Sequence, residues 1–428
     1  MDIGDRRGLL GTLYRFGASL GPGLITGASD DDPSGISTYS VSGAVAGYSM
    51  LWIALITTPM MAVIQGMCAR LSMVTGRGLA SLMRTHLPRW LTIVLAIIVI
   101  IANTFNVGAD IAGMAAAANL LVHVPLFLLV VFFGLAILAL QIFLSYSVIA
   151  KTFKWLAVTL LAYVITAFIV HPPWGQVLVR TFIPEVHWNE TWLSTAVGVL
   201  GTTITPYLFF WQGSLEVEEE KEHGLTTAAK RRGTTEEHIK ASHIDVNTGM
   251  IFSNLVALFI MITTASTLGA HGLTHIVSAQ QAAEALRPLA GNFAYLLFTL
   301  GMVGTGFLAI PALAGSSAYI VAEIFQFREG LNEPPKRAKK FYGIIAIGII
   351  VGIIINFVHI DPIAALFWSA VLNGIAAVPL IAVIVWFASN KKIMGKWVSS
   401  PIARAWGWFS VVMMGAAAIG FFITSFHH

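Results

Sequence analysis

The chain has 428 residues, of which 57% are hydrophobic and only 11% are charged, and its formal net charge is +4. Soluble domains carry roughly a quarter charged residues, so this composition, with a mean hydropathy of +0.79, excludes an ordinary water-soluble protein. The one cysteine, Cys68, excludes an intrachain disulfide and is expected to pack inside a span.

Residues 1–16 place Asp2, Asp5, Arg6 and Arg7 before a glycine-broken segment that lacks a small-residue cleavage site. We read them as a cytoplasmic N-terminus with no removable signal peptide. Eleven transmembrane helices follow, at approximately 17–44, 48–72, 90–121, 125–145, 153–171, 192–217, 246–270, 292–323, 341–359, 362–388 and 402–425. Several reach the roughly 20 apolar residues needed to cross about 30 Å of hydrocarbon. Barrel strands are excluded, because their faces alternate and these runs do not. A cytoplasmic N-terminus leaves only Arg180 and Arg287 outside, of the 25 Lys and Arg, and cytoplasmic retention of positive charge is what sets orientation. Topology thus accounts for the basic residues without a nucleic-acid partner; the surrounding partner is membrane lipid. The longest polar connection, Glu218 to His243, reads as a solvated loop extending the sixth span. The other reading is a metal sensor built from its acids with His223, His238 and His243.

Two spans are interrupted. The first carries Asp30, Asp31 and Asp32 beside Pro33, Ser34 and Gly35 near its midpoint. A buried charge there costs on the order of 3 kcal/mol, and such residues mark ion pathways. Proline removes a backbone donor and glycine lets the chain unwind, which frees carbonyls beside a carboxylate; hard cations take such oxygen ligands. The sixth span carries Gly201 and Pro206 around Thr202, Thr203 and Thr205. Broken first and sixth helices are the pattern of inverted-repeat transporters with a midplane site; alternatively, each proline only kinks a packed helix.

Successive helical residues point about 100° apart, so the three aspartates are not expected to share one face. Asp32, next to the break, is read as the metal ligand. Asp31 is placed in an aqueous vestibule, and Asp30 is neutral or hydrogen-bonded to another helix. Asp110 in the third span either relays protons and draws cations inward or is a buried acid satisfied by neighbouring Asn or Ser. Asn106 and Asn103 lie one and two turns before it. In the tenth span, Asn373 either completes the site or only joins helices. No HExxH and no nucleophile–base constellation occurs, so an enzyme is not expected, and no cofactor is implied.

These residues resemble the NRAMP (natural resistance-associated macrophage protein) family of divalent metal transporters. Gly21, Pro22 and Gly23 are followed, after eight residues, by Asp32, Pro33, Ser34 and Gly35, where the family has GPG and then DPGN. The stretch from Gly43 to Trp52, CARLSMVTGRGLA at 68–80 and SNKKIMG at 389–395 are similar to the family's. The resemblance implies an all-α polytopic fold of the LeuT type. That fold is a 5+5 inverted repeat with helices 1 and 6 broken: 17–171 forms one repeat, 192–388 the second, and 402–428 an additional helix and tail. It also implies a bacterial inner membrane.

The departures bear on chemistry. The family's metal-binding Asp matches Asp32, but its Asn becomes Gly35. Its AxxMPH motif reads Thr202, Thr203, Ile204, Thr205, Pro206 and Tyr207, so Thr205 stands for the thioether ligand, Thr202 for the carbonyl-donating Ala and Tyr207 for the first proton-pathway His. The second His matches Gln212, and an Asp–Glu pair survives as Asp110 and Gly113. A lost thioether favours harder ions, and lost side chains imply a wide, wet cavity suited to hydrated Mg²⁺. The expected function is transport of Mg²⁺ or Mn²⁺ by alternating access, with weak or absent proton coupling and similarity to the NRAMP-related magnesium transporters. The alternatives are a proton-coupled Mn²⁺/Fe²⁺ symporter, a Na⁺-coupled amino-acid transporter of the same fold, and a sensor that binds metal without transporting it.

Overall fold

The computed structural model describes residues 26–425 except 28, 145–147, 149–151, 153–157, 274, 275, 277 and 359. The GPG stretch and the N-terminus expected in the cytoplasm lie outside the described residues. The helices in chain order are α1 (Pro33–Ala46), α2 (Leu51–Thr75), α3 (Leu79–His86), α4 (Arg89–Asn119), α5 (Leu126–Phe143), α6 (Leu161–Ile169) and α7 (Trp174–Phe182). They continue with α8 (Glu190–Thr203), α9 (Pro206–Glu222), α10 (Glu236–Thr267), α11 (Ala294–Phe325), α12 (Lys339–Ile355), α13 (Pro362–Ser389) and α14 (Pro401–Ser425). Among the described residues, nine helical segments are long and apolar enough to span a membrane, with α8 and α9 together making one. The first and fifth spans, represented by α1 and α6, are only partly described.

The outer helices carry apolar side chains outward. Phe127, Phe132 and Leu135 of α5, Ile347 and Ile354 of α12, and Val412 and Ile419 of α14 are all exposed. So continuous an apolar surface is stable only against lipid. The interior is assembled differently. Lipid gives helices little hydrophobic reason to associate, so close backbone packing through small residues takes its place. A Cβ at Gly201 of α8 would lie 2.1 Å from the Ala370 carbonyl oxygen of α13, and one at Gly374 would lie 2.7 Å from that of Val197. Gly43 of α1 meets α10 as closely, and Gly27 lies against Gly249. These contacts hold the interrupted helices inside the bundle: α1, α8 and α9 are largely buried.

On the side assigned to the cytoplasm, the polar connection is mostly exposed, as expected, and is anchored at a few buried points. Helix α9 runs to Glu222, a short turn spans Ala228–Arg231, and α10 begins at Glu236. Arg231 is buried, donating from Nε to the Gly76 carbonyl (3.2 Å) and from Nη1 to that of Leu225 (2.9 Å). The three histidines do not converge. His223 contacts the Glu219 carbonyl, His238 lies near Thr234, and His243 pairs with Arg70 across α2 and α10.

Glu323, at the end of α11, accepts a hydrogen bond from the Ser81 amide at 2.7 Å and so anchors the start of α3. In the loop beyond it, burial pushes the Glu329 carboxyl up to about 8, and neighbouring Glu323 adds to the rise. A carboxyl that binds its proton more tightly when folded stabilises the fold at low pH. That contribution is complete below the ordinary value of 4.5 and lost as pH rises through about 8. Glu329→Gln is therefore expected to flatten the fall in Tm of detergent-solubilised protein over this window; an unchanged slope would rule out the assignment.

Candidate metal site

Two Xaa-Pro steps cut the first and sixth spans. The residue before a proline is pushed out of the α region, and the proline, lacking an N–H, fits the first position of the next helix. Thr26, Gly27, Ser29 and Asp30 are helical, Asp31 and Asp32 are not, and α1 restarts at Pro33 with Asp32 extended (φ −73°, ψ 170°). In the same way α8 ends at Thr203 and α9 restarts at Pro206, with Thr205 extended (φ −91°, ψ 135°). Both prolines break their helices rather than kink them.

The open N-terminus of α1 is met by two carboxylates. Asp32 Oδ1 accepts hydrogen bonds from the Gly35 amide (2.6 Å) and Ser34 Oγ (2.7 Å), and Asp110 Oδ1 from the Ser34 amide (3.2 Å). A helix start presents unpaired N–H groups and partial positive charge, which stabilises negative charge at this point. Asp32 Oδ2 accepts from Asn106 Nδ2 of α4 at 3.2 Å. Asn106 was legible only as a neighbour of Asp110; its spacing of four residues puts both on one face of α4.

The sixth span closes the other side. A Cβ at Gly35 would stand 3.3 Å from Thr202 Oγ1 and 3.4 Å from Asp32 Oδ1, so Asp32, Gly35 and Thr202 share one corner. Gly35 contributes room and an amide donor to this corner, not a side-chain ligand. Thr202, Thr205 and Asn373 are buried, and their Oγ1, Oγ1 and Oδ1 atoms have no hydrogen-bond partner among the described residues; neither does Asp110 Oδ2. Asn373 sits beside Gly374, whose backbone touches Gly201, the residue before Thr202. Asn106 and Asp110 of α4 and Thr202 of α8 thus meet the first break, Thr205 stands at the second, and Asn373 lies on α13 next to the glycine packed on Gly201. Among the described residues, no three His, Cys, Asp or Glu side chains group closely enough to hold a metal. An ion bound here meets at most two carboxylates and otherwise neutral oxygens.

The remaining predicted residues fall outside this corner. Asp30 and Asp31 both accept from Ser253 Oγ of α10, at 2.7 and 3.0 Å. They reach one hydroxyl because the helix ends between them, which removes the 100° constraint. Asp31 is buried rather than lining an open vestibule. Tyr207 donates its hydroxyl to the Ser29 carbonyl at 2.6 Å, tying α9 to the first half of the first span. Gln212 donates to Glu216 Oε1 (3.0 Å), which also accepts from Ser242. A side chain at Gly113 would strike Leu366 and Met302, so Asp110 has no acidic partner there. Among the described residues, Asp32 is only 2% exposed, so the wide, wet cavity expected from the missing side chains is not seen around it. Ser34, Gly35 and Asn106 close over its carboxylate, and one surface cavity away from it is lined by Gly76, Arg84, Glu323 and Glu329.

Comparison with known proteins places this geometry. Residues 23–424 match the family described as natural resistance-associated macrophage protein-like. The divalent metal cation transporter MntH of Caldanaerobacter subterraneus subsp. tengcongensis is 28% identical over 407 residues, covering 92% of this chain and 90% of its own. MntH of Listeria innocua is 27% identical over 410 residues, covering 91% and 86%. Among solved structures, the Eremococcus coleocola manganese transporter superposes with a TM-score of 0.72 at 20% identity, over 98% of this chain and 89% of that one. Mhp1, a nucleobase-cation-symport-1 family transporter, superposes at 0.54 with 14% identity, over 93% and 92%. With broken first and sixth helices in an all-helical membrane bundle, the chain belongs to the natural resistance-associated macrophage protein family, whose members are transporters and not enzymes.

Proposed function

We propose that this protein carries divalent metal ions, Mg²⁺ or Mn²⁺, across a bacterial plasma membrane by alternating access, with its N-terminus in the cytoplasm and without obligatory proton coupling. The observation that carries the reading is the carboxylate of Asp32, buried at a helix break in the same corner as the unpartnered Thr202 hydroxyl, with two more unpartnered oxygens at the second break (Thr205) and on α13 next to Gly374 (Asn373). Unpaired buried acceptors cost free energy, and a cation supplies what they lack. All these donors are oxygen, which suits hard ions over thiophilic ones. Relatives named as divalent metal cation and manganese transporters support the substrate class. Proton coupling is disfavoured by Tyr207 and Gln212, which replace titratable histidines, and by the apolar packing around Gly113; Asp110 then draws cations inward. An amino-acid substrate is disfavoured because Asp32 already occupies the helix start where a substrate carboxylate would bind.

Uptake by proteoliposomes tests this reading, with Mn²⁺, Mg²⁺ and Cd²⁺ outside and a pH dye inside. Mn²⁺ and Mg²⁺ are expected to enter without acidifying the lumen. Thr205→Met, which adds a thioether, should raise the preference for Cd²⁺ over Mg²⁺ about tenfold. Metal-driven acidification would favour the proton-coupled Mn²⁺/Fe²⁺ symporter, and wild-type preference for Cd²⁺ over Mn²⁺ would overturn the hard-ion assignment.

A further inference from the structure

Helix α4 brings two amides toward its neighbours, and they are used differently. Asn103 donates from Nδ2 to Ser316 Oγ (2.9 Å) and Ser317 Oγ (3.0 Å) of α11, which joins two helices. Asn106 donates instead to Asp32 Oδ2, the carboxylate at the break, and is fully buried. That bond identifies the two ends of the amide, because only the nitrogen can donate to a carboxylate. Its Oδ1, at the other end of the same amide, has no hydrogen-bond partner among the described residues. One turn further along α4, Asp110 faces the same helix start, with Oδ2 also unpartnered.

The first span is poor in oxygen at this corner. Gly35 has no side chain, and Ser34 Oγ is turned to donate to Asp32. We propose that Asn106 is a direct ligand of the transported ion: its amide nitrogen orients Asp32, and its Oδ1 supplies a neutral oxygen that helps set selectivity for hard cations. This rests on the reading of Asp32 as the metal site. Nothing in the bond from Nδ2 competes with that role, since the amide plane fixes Oδ1 while Nδ2 stays engaged. A neutral oxygen also completes coordination without adding charge to a corner that already holds two carboxylates.

The test compares side chains of similar size in the full-length protein reconstituted in proteoliposomes. Asn106→Leu removes the oxygen, and the half-saturation concentration for Mn²⁺ should rise about tenfold with a maximal rate changed less than about twofold, the signature of lost uniform binding. Asn106→Met presents a sulfur in its place, so uptake of Cd²⁺ relative to Mn²⁺ should exceed that of the Leu variant about tenfold. A purely structural residue would not distinguish Met from Leu, so equal Cd²⁺ selectivity in the two variants overturns the inference. Should either variant fail to fold, Asn106→Asp decides. A ligand role predicts a lower half-saturation concentration for Mn²⁺; a role limited to donating to Asp32 predicts a higher one and overturns the inference. Asp32→Asn, measured in parallel, separates the two levels. If that variant transports normally, the metal-site reading itself has failed; if it is inactive while Met and Leu behave alike, only the role of Asn106 has.

Discussion

Asp32→Asn is expected to lower the initial rate of Mn²⁺ and Mg²⁺ uptake by at least about a hundredfold, equivalent to some 2.7 kcal/mol, while the protein remains folded. The size follows from what the substitution removes. Asp32 brings the charge at the break itself, and the Thr202, Thr205 and Asn373 oxygens read as its fellow ligands are neutral. Away from water, the attraction between one carboxylate and a divalent ion is worth several times its value in solution, so no neutral amide replaces it. Asparagine nevertheless keeps an acceptor oxygen where Oδ1 now takes the Gly35 amide and Ser34 hydroxyl. Asn and Asp are near-equal helix caps, whereas Ala in their place costs about 1 kcal/mol. The start of α1 therefore survives Asp32→Asn, and Tm in detergent should move by no more than a few degrees. Wild-type uptake by this variant, with Tm preserved, would remove the metal site from Asp32.

The sequence was most informative where one local rule decides the outcome. Spans follow from apolar length, and the breaks follow from Asp32-Pro33 and Thr205-Pro206, because proline acts on its own predecessor whatever surrounds it. Ser253 was not legible, because its role depends on which helix packs beside the first span, and that is set by contacts such as Gly27 against Gly249. The same holds for Asn106: the sequence places it on the face of Asp110 but not against Asp32. The expected open cavity failed for a related reason. Small side chains were read as empty space, yet helices approach until that space is filled, as Leu366 and Met302 fill the room beside Gly113.

That closeness is itself testable at Gly201. Its missing Cβ would lie 2.1 Å from the Ala370 carbonyl oxygen and 2.3 Å from the Gly374 amide nitrogen, both backbone atoms of α13. Neither can rotate aside, so Gly201→Ala must push α8 away from α13. Overpacking commonly costs about 1–3 kcal/mol, and a clash with backbone belongs at the upper end. The displacement also falls on function, because Thr202 follows Gly201 and Asn373 precedes Gly374. Separating the two helices by even a few tenths of an ångström draws these two oxygens apart, and ligands for small divalent ions tolerate little misplacement. Gly201→Ala is expected to lower Tm and cut Mn²⁺ uptake by about tenfold or more. Gly348→Ala on α12 serves as the control, since a Cβ there meets nothing within 4 Å and alanine favours the helix by up to about 1 kcal/mol. Equal behaviour of the two variants would show that α8 and α13 are not held at the separation on which the Thr202–Asn373 side of the site depends.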